Sequence, residues 1–257
     1  MLIRPGAIGD FVVSLPALQS LRADYTEVWC PSVVHPLVQF ADRVVSIAGS
    51  GIDRVGLAEA HDVIRRLSGF DEIHSWYGTN QPEFRETCRG LPFHFYPALP
   101  LDGTQQATDF YLGQVGQPAG DAPRLRMEKQ PKEQFAILHP FSGSAKKNWP
   151  IERWLQLAQQ IEPRMRVCWC CGPEDDLPDA VVIPDLLELA QWISRATVFI
   201  GNDSGITHLA AAAGTAVIAL FGPTDPVIWT PRGSDVKVIH RPFLNQITVE
   251  AVAKAIP

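Results

Sequence analysis

Gly201-Asn202-Asp203-Ser204-Gly205-Ile206-Thr207-His208, followed by Leu209 and a run of alanines, combines the groups that bind an anion. An apolar run, Val198 to Ile200, meets a glycine, and an acidic, hydroxylic turn then opens a helix. Ala216 to Phe221 returns as a second strand. Free backbone N–H groups at a helix start, at the positive end of its dipole, favour a phosphate. Asp203 and Ser204 are good N-cap residues, and Gly205 admits a ligand close to the backbone. His208 is expected to project from the first helical turn near the same mouth. The unit reads as a site for a phosphorylated ligand at the carboxyl end of a parallel sheet.

Three further segments carry chemistry. In Arg4-Pro5-Gly6-Ala7-Ile8-Gly9-Asp10 a strand turns into a helix and leaves Asp10 at the strand's carboxyl end. A carboxylate there can take a proton from a hydroxyl nucleophile, or it can simply cap the helix; the residues leave both open. The glycine spacing differs from GxGxxG, which argues against a dinucleotide site. In His139-Pro140-Phe141-Ser142-Gly143-Ser144-Ala145-Lys146-Lys147-Asn148-Trp149-Pro150, hydroxyls, amides and an ammonium suit a diphosphate. A solvated turn with surface lysines is the commoner fate of a Lys-Lys pair, and the Gly-Lys-Ser/Thr ending of a P-loop is missing. In Gly172-Pro173-Glu174-Asp175-Asp176 a carboxylate can accept from a ribose diol or a base, though acidic residues also favour turns. The loop from Phe221 through Pro223, Pro226, Trp229, Pro231 and Gly233 is stiffened by its prolines and reads equally well as structural.

The elements that must position these residues alternate almost throughout. Strands are expected at Leu2 to Arg4, Glu27 to Cys30, Arg43 to Ile47 and Asp71 to Trp76, with helices at about Phe11 to Ala23, Val33 to Phe40 and Leu57 to Leu67. Pro16 is expected near the first turns of its helix, where a missing N–H costs least. After a polar, proline- and glycine-rich stretch at residues 117–133, strands recur at Phe135 to His139, Val167 to Cys171, Val181 to Ile183, Val198 to Ile200, Val217 to Phe221 and Val236 to Ile239. Helices are expected at about Ile151 to Ile161, Leu186 to Arg195, Thr207 to Ala213 and Val249 to Ile256. Two βαβ arrays predict an α/β chain of two Rossmann-like domains facing a cleft. Their bounds are residues 1–120 and 134–257, with a linker at 121–133.

The 257 residues are 46% apolar and 19% charged, which fits a globular chain. The net charge of −6 argues against an electrostatic nucleic-acid binder. No run approaches the ~18–20 apolar residues of a membrane span, and Asp10 and Pro16 interrupt any signal-like start. Five cysteines, an odd number, fit a reducing compartment. Cys168, Cys170 and Cys171 lie in an apparent buried strand without a partner pair at zinc spacing, and are expected to be core.

Taken in order, Arg4 to Asp10, the His139 to Trp149 loop, Gly172-Pro173-Glu174 and Gly201 through Trp229 resemble glycosyltransferase family 9, the heptosyltransferase family of bacterial lipopolysaccharide assembly. The resemblance is strong over residues 135–233 and the first 20, and thin between about 25 and 130. It implies a GT-B fold and an inverting transfer from a nucleotide-diphosphate sugar, typically ADP-heptose, to a hydroxyl of a lipopolysaccharide-core or other glycan. It assigns Asp10 as general base, with Arg4, Gly6 and Gly9 in the acceptor-side loop. Ser142, Ser144 and one of Lys146 or Lys147 are assigned to the donor phosphates, Glu174 to the ribose, and Asp203, Ser204, Gly205 and His208 to the donor-binding helix start. A base for the acceptor and protein cations for the leaving diphosphate suffice for this chemistry, so neither metal nor cofactor is expected.

The expected partners are a nucleotide sugar and a glycan or glycolipid acceptor, with peripheral contact at the inner membrane, in a cytoplasmic setting. The N-terminal half is short for the family and carries net −4 over residues 1–130. A strongly phosphorylated acceptor suits a basic surface better. Trp76, Tyr77, Phe93, Phe95 and Tyr96 can stack on sugar but are expected to be core. Two other readings stay open: a nucleotide-sugar epimerase or hydrolase on this fold, and a non-catalytic nucleotide-sugar-binding protein.

Overall fold

Short apolar runs become two all-parallel sheets in the computed structural model, which describes residues 1–57, 60–100 and 103–257. In the first half the elements are β1 (Leu2–Ile3), α1 (Ile8–Ser20), β2 (Glu27–Cys30), β3 (Arg43–Ser46), α2 (His61–Leu67), β4 (Ile73–Ser75), α3 (Pro82–Thr87), β5 (Phe93–Phe95) and α4 (Ala107–Gln114). The second half runs β6 (Glu133–His139), α5 (Ile151–Ile161), β7 (Arg166–Trp169), α6 (Leu186–Ser194), β8 (Ala196–Asn202), α7 (Gly205–Ala212), β9 (Ala216–Phe221), α8 (Pro226–Trp229), β10 (Val236–His240) and α9 (Val249–Ala255).

The strand orders are β3-β2-β1-β4-β5 and β10-β9-β8-β6-β7. The first is the doubly wound order with its reversal between β1 and β4, and the second reverses between β6 and β8. Ligands of such sheets bind outside the carboxyl ends of the strands at the reversal, because the crossover helices part there. The four segments singled out above follow β1, β6, β7 and β8, so two of them leave from the reversal of the second sheet and one from that of the first.

The buried strands are continuous apolar runs, as a sheet covered on both faces requires. The helices between them are one-sided. In α5, Trp154, Leu157, Ala158 and Ile161 are buried at helical spacing, while Glu152, Gln156, Gln159 and Gln160 are exposed. One apolar core runs from α1 (Phe11, Leu15) and α4 (Tyr111) into Phe135 of β6 and Leu209 and Ala210 of α7. Residues 117–132, although irregular, are tied to both halves. The N–H of Leu125 donates to the carbonyl of Ala212, and Gln39 exchanges two hydrogen bonds with the backbone of Arg126.

Several expectations need correction. The first helix begins at Ile8, earlier than expected, so Pro16 is its ninth residue and lies in the helix interior, where its missing N–H costs more. Val33 to Phe40 forms a 3-10 helix at Ser32–Leu37, because Pro36 lacks the N–H that an α-helix needs there. Val181 to Ile183 makes a single bridge from Val181 to Cys170 and no strand, since Pro184 follows at once. The helix expected from Leu57 begins at His61, and residues 58 and 59 of that expectation lie outside the described residues. The elements α3, β5, α4 and α8 were not anticipated. They are short, and α4 has weak amphipathic patterning.

Candidate active site

A cleft of about 760 Å³ opens at the carboxyl ends of both sheets. Ala7, Ile8 and Gly9 line it from the first half; Ser142, Ser144, Glu174, Ser204 and Gly205 line it from the second. At its floor the starts of α1 and α7 abut through two glycines. A Cβ on Gly205 would stand 2.7 Å from the Gly9 nitrogen and 2.9 Å from the Ile8 Cβ, and one on Gly9 would stand 3.3 Å from the Gly205 Cα. Only glycine allows the two backbones this close. The positive ends of two helix dipoles therefore meet at one place, where negative charge is favoured.

Asp10 occupies the third position of α1, and its Oδ2 accepts the N–H of Ala7 at 2.9 Å. The capping role is thus real, yet it engages one oxygen only and leaves the half-buried carboxylate beside the cleft. Gly6, at φ 117°, makes room for this fold-back, since a Cβ there would lie 2.8 Å from Asp10 Oδ2. Beneath the turn, buried Arg4 donates to the carbonyl of Asp10 at 2.8 Å.

On the opposite wall, Ser204 is the N-cap of α7, accepting from the N–H of Thr207. Asp203, expected as a capping residue too, is instead buried and paired with Lys147, Nζ to Oδ2 at 2.8 Å. Lys147 therefore stands at the helix start, whereas Lys146, on the same 3-10 turn, is exposed; neither side chain lines the cleft itself. The buried Asn202 pins this loop in place: its Oδ1 accepts the N–H of Trp149 at 3.1 Å, and its Nδ2 donates to the carbonyl of Pro140 at 2.7 Å. The Ser142 hydroxyl lies 2.8 Å from Asn148 Oδ1 and 2.9 Å from the carbonyl of Ser144, so the loop is also braced from within. Asp175 Oδ2 accepts the N–H of Gly172, which makes Asp175 the turn residue and leaves the exposed Glu174 on the cleft wall.

His208 departs from expectation. It is buried at the contact of the two halves, 5% exposed, with Gly9 packed on its ring side, and does not project at the mouth. Burial, helped by Lys147, holds its pKa down at about 4 against the opposing pull of Asp203 and Asp10. The ring is therefore neutral near pH 7. His139, last residue of β6, was passed over as a site residue, yet it lines the cleft. Burial also brings its pKa to about 4, and its Nδ1 has no hydrogen-bond partner among the described residues. Its position at the end of a strand beside the sheet reversal was the available signal. Thr207 was also missed. Its hydroxyl bonds the carbonyl of Asn202 and tightens the turn before α7, a role hinted at by the Ser204-to-Thr207 spacing.

Cys170 and Cys171 are buried as expected, and burial pushes the Cys170 thiol up to about 12, whereas Cys168 is only half-buried against the core. Trp76 is buried with Nε1 donating to Gln114, and Phe84, Phe93 and Phe95 pack edge-on and face-on among themselves. No helix among the described residues is long and apolar enough to cross a membrane.

Two doubly wound parallel sheets facing one cleft, with the starts of two helices meeting at its floor, define an α/β protein of GT-B architecture. Such folds turn up with this sheet pairing among solved structures. Escherichia coli ADP-heptose lps heptosyltransferase II superposes with TM-score 0.76 over 99% of this chain and 96% of that one, at 16% identity. A glycosyltransferase family 9 protein from Veillonella parvula does so with TM-score 0.77 over 99% and 95%, at 17% identity. The chain belongs to glycosyltransferase family 9: the family model, described as glycosyltransferase family 9 (heptosyltransferase), matches residues 102–255. Haemophilus influenzae lipooligosaccharide heptosyltransferase 2 is 44% identical over 309 aligned positions, covering 94% of this chain and 88% of that protein. Escherichia coli lipopolysaccharide heptosyltransferase 3 is 29% identical over 147 positions, covering 48% of this chain. That match spans 42% of the Escherichia coli protein's length, under half of it.

Proposed function

We propose that this chain transfers a heptose from ADP-heptose to a hydroxyl of a lipopolysaccharide-core acceptor, with inversion and without a metal. The observation that carries the reading is the meeting of Gly9 and Gly205 at the floor of the cleft lined by Ser204, with Asp10 and the Lys147–Asp203 pair gathered around His208 just behind it. A donor diphosphate fits against the α7 start, where the Ser204–Gly205 backbone, the helix dipole and the Lys147 ammonium stabilise the charge that builds as the sugar leaves. Lys147 must then exchange or share Asp203 with the phosphate. Ser142 and Ser144 supply hydroxyl and amide groups on the same wall, and Glu174 stands where a ribose diol can donate to it. Asp10, on the facing wall, accepts the proton of the attacking hydroxyl. The acceptor approaches from the side opposite the departing diphosphate, which is the geometry of inversion. A glycolipid acceptor places the reaction at the cytoplasmic face of the inner membrane, as a peripheral contact.

The test begins with ligand-induced stabilisation by ADP, UDP, GDP and CMP. ADP is expected to raise the melting temperature selectively, since only a ligand of the native state does so. ADP-heptose with a heptose-deficient lipopolysaccharide core is then expected to give ADP and glycosylated acceptor, with the rate unaltered by EDTA. Failure of every nucleotide to stabilise the chain would overturn the donor site. Consumption of ADP-heptose at full rate without acceptor would replace transfer by hydrolysis or epimerisation.

A further inference from the structure

Arg4 is a buried cation, 1% exposed, with no carboxylate at ion-pair distance among the described residues. A guanidinium withdrawn from water is costly unless its donors are met. Here Nε donates to Ser14 Oγ at 2.9 Å, one terminal nitrogen to the carbonyl of Pro5 at 2.8 Å, and the other to the carbonyl of Asp10 at 2.8 Å. Its face lies over the Tyr111 ring, 4.7 Å from the centroid, and Tyr111 is held in turn by its hydroxyl bond to the carbonyl of Ala98. Every one of these acceptors belongs to the turn that carries Asp10 or to the first turns of α1, apart from the ring that roofs them. The planar fork of arginine thereby ties residues 4, 5, 10 and 14 into one rigid unit, which a lysine cannot do.

The other charged or titratable groups facing Asp10 are few. Tyr111 comes from α4; His208 comes from α7, with Asp203 and Lys147 beyond it. His208 is neutral near pH 7 and Lys147 is engaged by Asp203. Arg4 is thus the cation on Asp10's own side of the cleft. Arg4, Ser14 and Tyr111 are all buried and none lines the cleft, so they reach substrate only through Asp10.

We propose that Arg4 is a positioning residue for Asp10, fixing the place of its carboxylate through its main-chain carbonyl. This rests on the reading of Asp10 as the general base. The test uses the full chain as Arg4→Lys, Arg4→Gln, Ser14→Ala and Asp10→Asn. ADP affinity and the kcat and KM of heptose transfer from ADP-heptose to heptose-deficient lipopolysaccharide core are measured. Arg4→Lys is expected to lower kcat about tenfold or more with the KM for ADP-heptose and the ADP affinity unchanged. Arg4→Gln, which cannot span the three acceptors of the guanidinium, is expected to lower kcat by at least as much, again with both affinities unchanged. A wild-type kcat in Arg4→Gln, or a joint loss of kcat and ADP affinity in Arg4→Lys, overturns the proposal. Should the Arg4 variants fail to fold, Ser14→Ala decides: a kcat reduced at constant ADP affinity supports it, and a wild-type kcat overturns it. Normal turnover by Asp10→Asn would remove the base and this inference together, whereas an inert Asp10→Asn beside wild-type Arg4 variants would remove this inference alone.

Discussion

At the start of α7 a side chain does the capping: Ser204 accepts from the helix, and Asp203 and Lys147 add a charged pair beside it. At the start of α1 the cap position is Ala7, which has no side chain to offer, and Asp10 reaches backward to bond its N–H. The two starts touch through Gly9 and Gly205, yet they are built for opposite charges. The α7 start gathers donors and a cation and suits a departing diphosphate. The α1 start presents a carboxylate held over a buried cation and suits proton abstraction. The surrounding sheets differ in the same sense. The second half anchors its loops on seven-residue strands β6 and β8, while the first hangs its loop on the two-residue strand β1 and relies on Arg4 to hold the turn. Where the sheet is too short to fix a loop, a buried hydrogen-bonded side chain has taken over.

This contrast is easiest to break at Asp10. Asp10→Asn keeps the shape and a hydrogen-bonding oxygen but removes the base, so kcat is expected to fall by about 10²–10⁴-fold. ADP affinity, which the proposed function assigns to the other helix start, should stay as in wild type. A parallel loss of both in steady-state and binding measurements would mean the two starts do not divide the work.

Gly205→Ala attacks the contact itself. A methyl group 2.7 Å from the Gly9 nitrogen must push the helix starts apart. A displacement of that kind is expected to cost roughly 10²-fold in kcat/KM and about 1–3 kcal/mol of stability. Wild-type kinetics and melting temperature would show that the halves can part without consequence.

The neutral histidines sharpen the comparison by pH. His139 and His208 have native pKa values near 4 against an ordinary 6.5, because burial disfavours the imidazolium. Between those values the unfolded chain binds more protons than the native one. Stability is therefore full above about pH 6.5 and declines as pH falls toward 4, by on the order of 3 kcal/mol for each histidine. Urea titrations at pH 7.5 and 4.5 should show the decline, and His208→Gln should flatten part of it. An unchanged slope in that variant would assign the acid sensitivity elsewhere.

The finest distinction lies between neighbouring lysines. Lys147→Ala is expected to weaken ADP binding by about 10- to 100-fold, as for the loss of a charge-assisted contact to phosphate. Exposed Lys146→Ala should change it by no more than about twofold. Equal effects in calorimetric titrations would dissolve the pairing of Lys147 with the α7 start.

Much of the second half was legible because its signals are local. Val198 to Ile200, the Ser204 cap and the alanine-rich helix lie within fifteen residues, and turn chemistry and hydrophobic pattern agree there. Ile151 to Ile161 was read to the residue, since its apolar positions recur at helical spacing. In the first half the patterns are weaker. β5 has three residues and α4 little amphipathic contrast, so both fell below what periodicity can detect. Pro16 misled because proline is favoured at helix starts, and only the position of Ile8 shows that it lies inside.

The sequence by itself determined the class of the fold, the anion-binding turn and the residue types at each loop, because strand pattern, capping and glycine placement act over a few neighbours. It left open whether Asp10 caps or faces a ligand, which lysine joins the site, and where His208 lies. The tertiary structure brought Gly9 against Gly205, paired Lys147 with Asp203 and sealed His208 beneath the floor, all through contacts between residues far apart in the chain. Charge pairing, desolvation and close backbone approach depend on which surfaces meet, and no local pattern records that.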